Sequence, residues 1–109
     1  MEITFSNRKL QRLCEQQALA QKQLGQACAR KLKARLADLM AAQTVQDLVV
    51  GRPHPLKGDR TGQFAVDLAG GKRLVFQPAN QPIPRKEDGS LQWSEVTQVC
   101  IVFIGDYHD

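Results

Sequence analysis

The chain holds two histidines, His54 and His108, and neither falls in a pattern that needs it for packing. His54 stands in "RPHPLKGDR" between Pro53 and Pro55, so its backbone is restrained from both sides, and Lys57 and Arg60 follow closely. Arg73 lies in "GGKRLVF", where it alternates with Leu74 and Phe76 and therefore points away from whatever those two bury. The sequence closes on "GDYHD" directly after the apolar run "QVCIVFI", so a core strand delivers Asp106, Tyr107, His108 and Asp109. Two imidazoles, a phenol, lysine and arginine suit cleavage of an RNA phosphodiester. A base takes the proton of a ribose 2′-hydroxyl, cations carry the charge of the phosphorane-like transition state, and an acid protonates the leaving 5′-oxygen. That reaction calls for no metal and no cofactor. Taken singly, each residue has a plainer reading: a surface loop histidine, a solvated strand arginine, a decorative tail. Taken together they describe one chemistry, provided the fold brings them together.

The chain that must do so has 109 residues, enough for a single domain, here 1–109, with one modest core. It lacks an apolar run near the ~20 residues that a membrane span requires. Its start, "MEITFSNRKLQRL", turns charged too early for a signal peptide, so a cytoplasmic location and no membrane partner are expected. Cys14, Cys28 and Cys100 lack metal-type spacing and sit in apolar patterns, which reads as reduced packing residues. The net charge is +4, and the excess is uneven. Between Met1 and Leu36, Arg8, Lys9, Arg12, Lys22, Arg30, Lys31, Lys33 and Arg35 face only Glu2 and Glu15. Such a half attracts phosphate backbones, and Lys22, Arg30 and Lys33, on the outer side of a helical pattern, are candidate RNA contacts together with Arg60.

Periodicity gives the elements. "EITF" is a short strand, Ser6 is placed to cap a helix, and Phe5 and Leu10 to staple it. Leu24, Cys28, Leu32, Leu36 and Leu39 recur at helical spacing, which predicts one long helix from about Gln21 to Ala41, with Gly25 a modest weakness. "TVQD" has the form of a capping box opening a short third helix through Val50. After the broken stretch "GRPHPLKGDRTG" the period becomes two. Phe64, Val66 and Leu68, then Leu74 and Phe76, predict a hairpin turning at "AGGK". Residues Pro78 to Ser94 read as a polar, proline-rich and flexible excursion that folding can spare. A last strand from about Glu95 to Ile104 is apolar on both faces and belongs inside the sheet. Helices first and strands later predict an α+β fold with helices on one face of a largely antiparallel sheet.

Three blocks in this order, "HPLKGDRTGQFAVDL", "GGKRLVF" and the terminal "DYH", resemble the HigB, or plasmid-maintenance killer protein, branch of the RelE/ParE toxin superfamily, and the likeness spans nearly the whole chain. The resemblance implies a RelE-like fold, with N-terminal helices packed on a curved, largely antiparallel sheet. It implies a toxin of a type II toxin–antitoxin system, an endoribonuclease that cuts messenger RNA in the ribosomal A site. It implies a HigA-like helix-turn-helix antitoxin as partner, with operator DNA touched only through that antitoxin. Carried over residue by residue, it gives catalytic parts to His54, Lys57, Arg73, Asp106, Tyr107 and His108. Two features depart from the family pattern: the excursion from Pro78 to Ser94 replaces a tight turn, and Asp109 follows the histidine. A second function class stays open, a ParE-like poison that inhibits DNA gyrase by contact alone. A third is a catalytically degenerate relative kept as a nucleic-acid or antitoxin partner. The paired imidazoles favour the enzyme, because a gyrase binder does not need them.

Overall fold

In the computed structural model, which describes residues 1–106, the elements run β1 (Glu2–Phe5), α1 (Arg8–Glu15), α2 (Gln17–Leu24), α3 (Gln26–Ala41), β2 (His54–Pro55), β3 (Phe64–Asp67), β4 (Arg73–Pro78) and β5 (Gln98–Gly105). Single 3₁₀ turns form at Val45–Asp47, Gly58–Arg60 and Trp93–Glu95. The strands make one five-stranded sheet in the order β1-β5-β4-β3-β2. Every neighbouring pair is antiparallel except β1 with β5. The α+β expectation holds, and β5 lies inside the sheet as its two-sided apolar pattern requires.

Several local expectations are corrected. Asn7, not Ser6, caps α1: its Oδ1 accepts from the Leu10 amide at 2.9 Å. The Ser6 amide is spent on the Ile101 carbonyl at 2.9 Å. The long second helix is two helices broken at Gly25, whose φ of +88° few other residues adopt. Its amide closes α2 on the Gln21 carbonyl and its own carbonyl accepts the first turn of α3 from Ala29. Apolar spacing runs on through this break, which is why periodicity alone misses it. The Thr44–Asp47 capping box forms, but it opens only a 3₁₀ turn, and Val49 and Val50 remain exposed. His54 is not in a loop: with Pro55 it pairs against β3, His54 opposite Ala65 and Pro55 opposite Phe64. β5 starts at Gln98, three residues later than Glu95 suggests, because Trp93–Glu95 turn first.

The excursion after β4 is anchored rather than loose. The Asn80 side chain accepts from the amides of Thr97 and Gln98, each at 3.0 Å, and Arg85 pairs with Leu91. Trp93 packs edge-on to Phe64, ring centroids 4.9 Å apart. A large aromatic returns to the core even from a polar segment, because burying it outweighs ordering its backbone.

The main core lies between the helices and one face of the sheet, where Leu32 and Leu39 meet Phe64, Val66, Leu74, Phe76, Val99 and Ile101. The Met1 amino group donates to the carbonyls of Leu39, Met40 and Ala42, which satisfies the C-terminal end of α3. Cys14 and Cys28 are unpaired packing residues, and burial, then the nearby Glu15, pushes the Cys14 thiol up to about 12. Across the sheet lies a second, small cluster of Leu56, Ala65 and Val75, flanked by Val102 and Phe103.

Candidate active site

Strand register decides what shares this second face. His54 lies opposite Ala65, Ala65 opposite Val75, and Val75 opposite Phe103. Residues opposite each other across a ladder point to the same side, so these four form one row. Two residues along, Asp67 lies opposite Arg73, and Arg73 opposite Gly105, which forms the next row. In the other direction Gln63 and Gln77 extend the same face by alternation. Neighbouring rows stand about 7 Å apart and neighbouring strands about 4.8 Å. His54 and Arg73 are therefore separated by two strands and one row, about 12 Å between their backbones. At β5 the register shifts beside Val75/Phe76, so Val102 and Phe103 both reach the small cluster.

The polar groups on this face hold one another. Asp67 accepts from Arg52 Nε at 2.6 Å with one oxygen and from Arg73 Nε at 3.2 Å with the other. The Arg73 side chain is 26% exposed and that of Arg52 73%, so Arg73 is fixed in the face while Arg52 reaches into water. Partial burial works to raise the Asp67 carboxyl, but the hydrogen bond and charge of Arg52, and then of Arg73, outweigh it and hold it below the ordinary carboxylate value. Arg52 is itself in the left-handed region with φ +48°, a conformation that costs a non-glycine residue. Gly51 before it permits the approach: its carbonyl accepts from the Asp67 amide at 2.7 Å. A Cβ there would lie 3.3 Å from the Asp67 carbonyl oxygen and 3.2 Å from Arg35 Cδ.

His54 Nδ1 lies 2.7 Å from the Arg52 carbonyl oxygen. A carbonyl only accepts, so Nδ1 carries the proton in this arrangement, and Nε2 is the nitrogen left to take one. Arg60 lies over the Phe103 ring, 4.5 Å from its centroid, and donates to Gln63 Oε1 at 3.0 Å. Asp106 turns its carboxylate over the β3–β4 turn, 3.7 Å from where a Cβ on Gly71 would stand. Lys57 is exposed in the loop that carries Leu56 into the small cluster. The face thus offers an imidazole with Nε2 left to accept a proton, fixed guanidinium groups, and a partly buried aromatic ring topped by a cation. These are the parts that the transesterification of RNA requires.

The structure brings His54, Arg60 and Arg73 to one side of the sheet, with Lys57 on the adjoining loop and Asp106 at the β3–β4 turn. It does not bring Lys22, Arg30 and Lys33 there: they are exposed on α2 and α3, in the layer behind the opposite face. Tyr107 and His108 lie outside the described residues. Sequence reasoning missed Arg52, Asp67 and Phe103. Asp67 was findable, since the hairpin register that turns Arg73 outward sets Asp67 opposite it. Arg52 was not, because only its unusual φ aims it back at β3. Among the described residues no three His, Cys, Asp or Glu side chains gather as metal ligands would, and no helix is long and apolar enough to cross a membrane. A groove of about 830 Å³ between β1, α1 and α3 is lined mainly by apolar side chains and holds, of the candidate residues, only Lys33.

No protein-family model matches the chain, and no curated protein matches it by sequence. Solved structures do match its fold. The YoeB/ParE toxin from Agrobacterium tumefaciens superposes with a TM-score of 0.60 at 12% identity, over 99% of this chain and 100% of that one. The YoeB–YefM complex from Staphylococcus aureus gives 0.57 at 18% identity, over 100% of this chain and 98% of that one. The YoeB dimer from the same organism gives 0.56 at 19%, with the same coverage. The chain therefore has the YoeB/RelE-like toxin fold over its full length. At these identities the likeness concerns the fold.

Proposed function

We propose that this chain is the toxin of a type II toxin–antitoxin pair, of the HigB branch, and acts as a ribosome-dependent endoribonuclease on messenger RNA. The observation that carries the reading is the cationic face itself. His54 and Arg73 lie on neighbouring rows of this face, two strands apart, and Asp67 orients the Arg73 guanidinium. His54 Nε2 takes the proton of the ribose 2′-hydroxyl. Arg73 stabilises the charge that develops on the phosphorus oxygens, and Lys57, on the loop that follows His54, adds a further cation toward the other end of the face. A base turned out of the message stacks on the Arg60–Phe103 pair. The tail, Asp106 with Tyr107 and His108, supplies the group that protonates the 5′-oxygen. The basic outer sides of α2 and α3, through Lys22, Arg30 and Lys33, add affinity for ribosomal RNA without taking part in the chemistry. The partner that silences the chain is a HigA-like helix-turn-helix antitoxin, and the place of action is the cytoplasm.

Induction of the chain in growing cells, followed by mapping of message 5′ ends, tests the reading. New ends inside translated codons, absent when ribosomes are stalled before the message enters, support it. Growth arrest with intact messages and lost gyrase supercoiling would replace it with the contact poison.

A further inference from the structure

The excursion that replaces the tight turn between β4 and β5 borders a second, open cavity of about 570 Å³ at the end of the sheet, where Leu56 and Gln77 bring it next to the same face. One wall is the Pro55–Gly62 loop, which also carries Arg60. The opposite wall is the excursion itself, through Ile83, Arg85, Leu91 and Trp93. Gln77 forms part of the floor, and it lies on the β4 side that carries Val75 and Arg73. Its volume falls within the range of small-ligand sites, and the lining joins an apolar body to a few convergent polar groups. Ile83 is 41% exposed at the rim, an apolar group that the fold leaves open to an occupant. The Arg85 guanidinium is held by the Gly89 carbonyl at 2.8 Å, and Trp93 by its contact with Phe64. The walls are thus fixed before anything binds.

We propose that this cavity is a nucleotide subsite: it takes one unpaired ribonucleotide of the message on one side of the cleaved bond and makes cleavage depend on that base. The inference rests on the endoribonuclease reading and extends it to a specificity pocket. Three features point to this occupant. The cavity continues the strip that runs from Arg73 past Phe103 and Arg60 to Gln63 and Gln77, so a strand crossing the reactive row reaches it. Arg73 and Gln77 are four residues apart on one strand, about 13 Å, a span that a short single-stranded segment crosses. The cavity pairs an apolar slot for a base with an amide at Gln77 for its edge and a cation at Arg85 for its phosphate, as single-stranded RNA recognition requires.

Trp93 is the only tryptophan and lines the cavity, so its fluorescence reports occupancy. Short single-stranded RNA oligonucleotides that differ at one base are titrated against the full chain. A saturable change in Trp93 emission is expected, with one base preferred. Gln77→Ala and Arg85→Ala should each weaken binding by about tenfold, the worth of one good polar contact, and mapped cuts should lose their preference at the flanking position. No saturable change with any oligonucleotide, or parental affinity in both variants, overturns the proposal. Oligonucleotide binding by the parent, weakened in both variants while messages stay intact, sinks the nuclease reading and leaves the ribonucleotide site standing. Base-selective cuts that persist unchanged in both variants sink the subsite alone. Gln77 takes no part in the hydrogen bonds that anchor the excursion, so its variant separates a lost contact from a loosened loop.

Discussion

The two faces of the sheet solve opposite problems with the same strands. The helix-covered face is sealed: Leu74, Phe76, Val99 and Ile101 are fully buried, and Leu32 and Leu39 close over them. On the other face, among the described residues, Leu56 from one loop lies over Ala65 and Val75, flanked by Val102 and Phe103. Beyond that patch it carries Arg60, Asp67 and Arg73, like Phe103 only partly buried. β3 and β4 are apolar on both sides at their centres and polar on one side at their ends. The sealed face supplies stability, and that allows the open face to hold like charges close together and a strained Arg52. The open face holds Arg52 and Arg73 through Asp67, and Arg60 through Gln63 and the Phe103 ring.

Breaking the sealed face should cost most. Phe76→Ala removes a fully buried ring, and a loss of about 3–5 kcal/mol is expected in a urea melt. An unchanged midpoint would mean that the helices do not close this core. Trp93→Ala tests whether the excursion belongs to the sealed side. It should cost about 2 kcal/mol, less than a full core ring because Trp93 is only partly buried. A neutral result would return the segment to a spare loop, and a short Asn-Gly turn would then replace it harmlessly.

Asp67→Asn sharpens the account of the open face through its pH dependence. The folded carboxyl lies below its ordinary value, so its stabilisation is present above the unfolded value of about 3.9 and is lost as pH falls through the folded value. The parent should exceed Asp67→Asn in stability at neutral pH by about 1 kcal/mol or less, since the group is partly exposed. The two should converge on acidification, and a gap that widens at low pH contradicts the ion-pair reading. The smallest effect on chemistry belongs to the helix layer. Charge reversal at Lys22, Arg30 and Lys33 should weaken ribosome binding and flatten its salt dependence while leaving the bound cleavage rate alone. A changed bound rate would join those residues to the site, against their position behind the sheet.

The same contrast explains what the sequence made legible. The sealed face follows from alternation, so Phe64, Val66, Leu74 and Phe76 and the hairpin that joins them were readable, and with them the outward turn of Arg73. The helical period of α3 was readable too, but a glycine break leaves that period intact and so escaped. Pairings between distant segments have no local signature: parallel β1 with β5, Trp93 on Phe64, and Arg52 on Asp67 each join segments that no period links. His54 and Arg60 were readable as chemistry by residue type, while the row that joins His54 to Val75 and Phe103 needed the register.

Purified chain added to ribosomes programmed with a defined message tests the central claim most directly. The measurement is the single-turnover rate of message cleavage for the parent and for Arg73→Ala, with circular dichroism melts of both. The account predicts that the variant still melts cooperatively, its midpoint lowered only slightly by the lost pair with Asp67, and that its cleavage rate falls by about 100–1000-fold, the worth of one well-placed donor at a charged transition state. A folded Arg73→Ala variant that cuts at the parental rate, or a parent that leaves the message whole, would contradict it.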